Sequence, residues 1–299
     1  MIYNKLLVPI DFGDCTAPSL HFARVLAAPG AELALMHVID EQVLEPFEGA
    51  LDTEDYSKRV EDRLGEFEAS LVEDGFSVNR IVVQGTPKDA LLDYAASWKP
   101  QVLVLGSHGR TGLRRLLLGS VTEKILRQAG LPVCVVKKPE ADETLPSTLE
   151  HIAFGTDFDK SSLMAKTQFI SSLEASQAKG YLLHVFDASY HYSFTLVPDL
   201  VDSSQTIQDS VQASRELAKT QLDRELASLH KRKLDVEAAL LEGPAWEEIT
   251  EFSEEKGCDL VILGTHHYQG INRMLLGSVA EKTMRLCHRP VLVVPNPVE

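Results

Sequence analysis

The chain has 299 residues, 44% of them hydrophobic and 24% charged, with a formal net charge of −15. The length suits two domains of about 150 residues each, and the composition excludes a disordered or fibrous chain. The acidic balance excludes a general binder of nucleic acid or of anionic membrane, so an anionic ligand would need a local positive site.

The opening run Met1-Ile2-Tyr3-Asn4-Lys5-Leu6-Leu7-Val8-Pro9-Ile10-Asp11 lacks the apolar stretch and the cleavage site of a signal peptide. No stretch approaches the about 18 apolar residues of a membrane span, so a cytoplasmic protein without a membrane partner is expected. In chain order, Lys5 to Ile10, Ala31 to Val38, Val78 to Val83, Gln101 to Leu105 and Val133 to Val136 are short and β-rich, which predicts strands. Asp14 to Ala28, closed by Pro29-Gly30, and Asp55 to Asp74, closed by Gly75, have helical length and stop signals. A further helix is expected from Val121 to Gln128. Alternating strands and helices predict an α/β fold built of right-handed βαβ units, with helices on both faces of a parallel sheet. Runs such as Val102-Leu103-Val104-Leu105 are what a strand covered on both faces needs.

The second half repeats the first. Gly85 to Pro139 aligns without a gap on Gly243 to Pro297 at a constant offset of 158 residues. Leu117-Leu118-Gly119-Ser120-Val121 thereby meets Leu275-Leu276-Gly277-Ser278-Val279, and Pro132-Val133 meets Pro290-Val291. Upstream, Asp11-Phe12 matches Asp157-Phe158 and His37-Val38-Ile39-Asp40 matches His184-Val185-Phe186-Asp187, at offsets of 146 and 147. Between the copies lies a polar stretch with prolines at both ends, Pro139 and Pro146. The expected organisation is a first domain at 1–138, a linker at 139–149 and a second domain at 150–299.

The motif richest in chemistry is Gly106-Ser107-His108-Gly109 followed, after nine residues, by Gly119-Ser120, or G-x2-G-x9-G-S. It runs from the end of an apolar strand to the start of a helix, where backbone N–H groups can converge on an anion. Glycines there permit close approach to phosphate and positive φ, although they can also serve simply to make a tight turn. Asp11, just past the first strand, suits either a ribose hydroxyl or adenine amine, or a turn before the next helix. Val38 is placed to flank a base. Arg110, Arg114 and Arg115 can offset phosphate charge or pair with surface carboxylates. The four cysteines, Cys15, Cys134, Cys258 and Cys287, form no C-x-x-C pair and read as buried thiols. His266-His267 has no third ligand in view, and no metal is assigned.

These landmarks, with Val8-Pro9-Ile10-Asp11, Gly85-Thr86-Pro87 and Gly112-Leu113-Arg114-Arg115-Leu116-Leu117-Leu118-Gly119-Ser120-Val121, resemble a tandem universal stress protein. The resemblance implies two doubly wound domains, each a five-stranded parallel sheet in the order 3-2-1-4-5, with stress-linked regulatory roles and ATP bound by some members. That order puts a switch point between strands 1 and 4, with a crevice at their carboxyl ends. The nucleotide-binding residues it implies are Pro9, Asp11, Val38, Gly106, Gly109, Arg110, Gly119, Ser120 and Val121, with ATP as ligand, with or without Mg2+. The second copy keeps Asp157, Val185, Gly264, Gly277 and Ser278 as counterparts but carries His267 for the middle glycine and Gly155 for Pro9.

No nucleophile–base pair or Walker lysine accompanies the glycines, which favours a stress-responsive ATP-binding regulator acting on a protein client. Slow ATP hydrolysis or autophosphorylation, and a protein-interaction scaffold with incidental nucleotide, are the alternatives. An intrachain pseudo-dimer through the last strands is expected, with a homodimer of the whole chain open. The aromatic stretch at 188–204 is open between a lid and domain packing.

Overall fold

A computed structural model describes residues 2–40, 53–107, 118–140, 144–187, 204–265 and 276–296. The first half runs β1 (Tyr3–Pro9), α1 (Thr16–Leu26), β2 (Ala27–Ile39), α2 (Thr53–Glu73), β3 (Ser77–Gln84), α3 (Pro87–Trp98), β4 (Val102–Gly106), α4 (Ser120–Leu126) and β5 (Val133–Val136). The second follows with β6 (His151–Gly155), a 3-10 turn at Lys160–Ser162, α5 (Leu163–Ser176), β7 (Lys179–Phe186), α6 (Ser204–Lys231) and β8 (Val236–Glu242). It closes with α7 (Ala245–Glu255), β9 (Leu260–Thr265), α8 (Ser278–Leu286) and β10 (Val291–Pro295).

The first five strands stand in the order β3-β2-β1-β4-β5 and the last five in the order β8-β7-β6-β9-β10, so each half has the expected 3-2-1-4-5 arrangement. The halves are not separate sheets. β5 and β10 pair antiparallel, Val291 opposite Val135 and Val293 opposite Val133, and join all ten strands into one sheet. All other pairings are parallel. The apolar runs explain who sits where: β4, β5, β9 and β10 are almost wholly buried and lie centrally, whereas the half-exposed β3 and β8 take the two edges.

Alternate residues of each strand supply two core layers. Leu6, Val8, Phe154 and Ile262 face α1, α2, α5 and α6, while Leu7, Leu103, Ala153 and Val261 face α3, α4, α7 and α8. Both layers continue across the seam between the halves. There Tyr3 Oη donates to Gln168 Oε1 at 2.9 Å on one face, and Lys137 Nζ donates to the Arg285 carbonyl at 2.6 Å.

Several expected boundaries differ. α1 stops at Leu26, not Ala28, and β2 begins at Ala27. Pro29-Gly30 marks a bulge within the strand instead of a helix stop: Tyr3 pairs with Ala27 but Lys5 with Glu32, and Gly30 takes up the irregularity at φ +73°. α4 starts one residue earlier than expected and ends at Leu126, two residues before Gln128.

Candidate functional site

The site grows from the carboxyl ends of β1 and β4, where the strand order reverses. Asp11 lies two residues past the end of β1, and its Oδ1 accepts from the Gly13 backbone N–H at 2.8 Å and from Thr16 Oγ1 at 3.1 Å. The carboxylate therefore shapes the turn into α1, as the turn reading expected, while also lining the cavity. Nearby, Lys138 Nζ donates to Asp14 Oδ2 at 2.8 Å, and that hydrogen bond and charge hold the exposed Asp14 carboxyl below its ordinary range.

Between Asp11 and Gly13, Phe12 adopts φ +60°, a conformation bulky side chains avoid. Its ring lies 4.9 Å from that of His37 at the end of β2, with the Arg63 guanidinium over it at 4.1 Å. His37 is buried and its Nδ1 is 2.6 Å from the Ile10 carbonyl, which only accepts, so the proton sits on Nδ1. β1 and β2 are thus cross-tied at the point where the site begins.

On the other side, β4 ends at Gly106. Ser107 N–H donates to the Val136 carbonyl at 2.9 Å, Gly119 N–H to the Ser107 carbonyl at 2.8 Å and Thr122 Oγ1 to the Gly106 carbonyl at 2.9 Å. The chain accordingly leaves the sheet at residue 107 and returns to the same point at 119. This corrects two expectations about Gly119. Its N–H is already committed to Ser107, and its φ of −58° needs no glycine. The N–H groups of Ser120, Val121 and Thr122 open α4 and have no acceptor within the helix.

These elements enclose a cavity of about 380 Å³, within the usual range of small-molecule sites, about 300–1,000 Å³. Pro9, Asp11, Val38, Gly106, Gly119, Ser120 and Val121 all line it, so every described member of the first-copy candidate set meets in one place. Gly109 and Arg110, like Arg114 and Arg115, lie outside the described residues. The cavity also has walls that sequence reasoning missed: Cys15 at the N-cap of α1 and Ser19 within it, Tyr56 from α2 and Leu91 from α3, together with His37 and Asp40. Of these only His37 and Asp40 carried a usable signal, since both recur in the second copy as His184 and Asp187.

The second half repeats the arrangement. Asp157 Oδ1 accepts from Asp159 N–H at 3.0 Å and Ser162 Oγ at 2.6 Å, Phe158 sits at φ +62°, and its ring is 4.4 Å from His184. His184 Nδ1 in turn meets the Thr156 carbonyl at 2.8 Å. Asp157, Val185, Gly264, Gly277 and Ser278 line a second cavity of about 330 Å³. Gly155 stands where the first copy has Pro9 because Leu263 and Ile249 fill the space: an added Cβ would come within 2.7 Å of Leu263 and 3.0 Å of Ile249. His266 and His267, and the aromatic stretch except Ser204, lie outside the described residues.

The sequence profile of the universal stress protein family matches residues 2–137 and again 148–295. The chain belongs to the universal stress protein family. It carries two copies of the family's domain. A family member from Mycolicibacterium smegmatis is similar end to end, 27% identical over 307 aligned positions that cover 97% of this chain and 96% of that one. A single-domain member from Methanocaldococcus jannaschii is 31% identical over 157 positions, 46% of this chain and 97% of its own. Among solved structures, a universal stress protein from Archaeoglobus fulgidus shares the fold across 98% of this chain and 97% of its own, with a TM-score of 0.67 at 18% identity.

Proposed function

We propose that the first half of this universal stress protein holds ATP and that the chain is a stress-responsive regulator in the cytoplasm, its nucleotide-bound form being the one a client protein recognises. One observation carries the reading: the crevice between β1 and β4 gathers Asp11, Val38, Gly106 and the opening turn of α4 around a single cavity of about 380 Å³. The donor set suits a nucleotide. Asp11 would accept from a ribose hydroxyl or adenine amine, Val38 would flank the base, and the Ser120 hydroxyl with the first-turn N–H groups of α4 would meet phosphate oxygens. Gly109 and Arg110 would complete the phosphate end. Bound ATP, with or without Mg2+, would supply charge and shape that select one conformation, and no residue here is assigned a role in cleaving it.

Isothermal titration tests the reading: ATP should bind more tightly than GTP, and Gly109→Val should abolish the binding. Equal affinity for the two nucleotides would remove the adenine assignment, and an unaffected Gly109→Val variant would remove the glycine loop from the site.

A further inference from the structure

Four cysteines are present and, although all four are buried, their surroundings differ. Cys134, Cys258 and Cys287 are packed into the sheet core and its α7–α8 cover, and burial pushes the Cys258 and Cys287 thiols up to about 12 and about 11 and Cys134 higher still. Cys15 instead lines the first cavity. It occupies the N-cap position of α1, and its Sγ lies 3.8 Å from Ser107 Oγ, where the glycine motif leaves β4.

A second observation points into the same space. Ser19, one turn further along α1 and 1% exposed, lines the cavity, and its Oγ has no hydrogen-bond partner among the described residues. A buried hydroxyl in that state is costly until an occupant of the cavity pairs with it. Residues four apart share a helix face, so Cys15 and Ser19 present a thiol and an unsatisfied hydroxyl side by side. The second half has neither: at the same offset of 146 residues it carries Ser161 and Ala165.

We propose that Cys15 is a modification site for a small disulfide entering the first cavity. The Cys15 thiolate attacks one sulfur of the disulfide, the new Cys15–S bond forms as the S–S bond breaks, and the departing thiolate takes up the proton that Cys15 released. The protein thiol is oxidised and half of the small disulfide is reduced. Ser19 Oγ–H donates to a polar group on the adduct. The adduct occupies the space beneath Gly106 and Ser107, so modification and nucleotide exclude each other. That exclusion, unlike the thiol's reactivity, rests on the nucleotide reading.

The test treats the folded full chain with the disulfide of 2-mercaptoethanol, with and without ATP, and follows intact mass and peptide mapping. One adduct per chain is expected, on Cys15. Saturating ATP should slow it about tenfold, Cys15→Ser should abolish it, and Ser19→Ala should make the adduct several-fold easier to reverse with added thiol. Absence of an adduct on Cys15 in the folded chain, where the urea-unfolded chain gains four, overturns the proposal, as does earlier reaction at Cys134, Cys258 or Cys287. An adduct on Cys15 that ATP does not slow upholds the thiol site and counts against the nucleotide reading instead.

Discussion

The ring of Phe12 rests 4.9 Å from that of His37, and Phe12 holds that position at φ +60°. The same pairing recurs between Phe158 and His184 at φ +62° and 4.4 Å. A left-handed phenylalanine is an uncommon conformation, and it occurs twice, each time directly after an aspartate that lines a cavity. Histidine locks the end of β2 to the end of β1 through its Nδ1 bond, and phenylalanine covers that lock.

A backbone cost and a packing gain are therefore opposed at Phe12, and two variants separate them. Phe12→Ala loses the ring contacts and keeps a Cβ at positive φ, whereas Phe12→Gly loses the same contacts and relieves the backbone. Phe12→Gly should be the more stable of the two by about 1 kcal/mol in urea unfolding. Equal stabilities would mean that the backbone relaxes out of the left-handed region once the ring is gone.

Asp11 has two duties that a conservative change can divide. Asp11→Asn keeps an oxygen for Gly13 N–H and Thr16 Oγ1, so stability should stay within about 0.5 kcal/mol of the parent. Its amide places a donor where a ribose hydroxyl or adenine amine needs an acceptor, so ATP affinity should fall about tenfold or more, about 1.4 kcal/mol. Asp11→Ala should lose both. Unchanged ATP affinity in Asp11→Asn would confine the carboxylate to its turn.

The seam between the halves is a run of buried valines in register, with Val135 and Val293 each 2% exposed. Val135→Lys or Val293→Lys would bury an ammonium beside the β5–β10 pairing, costing about 3 kcal/mol or more and enlarging the hydrodynamic size as the halves part. Urea unfolding with size-exclusion chromatography checks this, and parent-like behaviour in both variants would remove the seam as a stabilising contact.

Stoichiometry should be one ATP per chain. The second cavity has its aspartate, its histidine-braced turn and its helix start, so the expected weakness rests on His267 in place of the middle glycine. His267→Gly should then create or strengthen a second site, and Gly109→His should abolish the first. Two ATP per parent chain of comparable affinity in equilibrium dialysis would return Asp157, Gly264, Gly277 and Ser278 to full working order.

What was legible in the sequence was what neighbours along the chain decide. The apolar runs of β4, β5, β9 and β10 announced doubly covered strands, Gly75 closed α2 within a residue of expectation, and the offset between copies announced two similar sheets. Pro29-Gly30 misled because one dipeptide serves either as a helix stop or as a bulge, and only pairing with β1 chooses between them. The apolar last strands also announced the joining of the halves, which β5 and β10 make by pairing antiparallel, whereas the Phe12–His37 brace and the thiol wall of the cavity depend on partners far apart in sequence. His37 finds Ile10 across 27 residues and Cys15 finds Ser107 across 92. Local propensity carries no information about such pairs, because it is the winding of strands and crossovers into one sheet that brings them within a few ångströms.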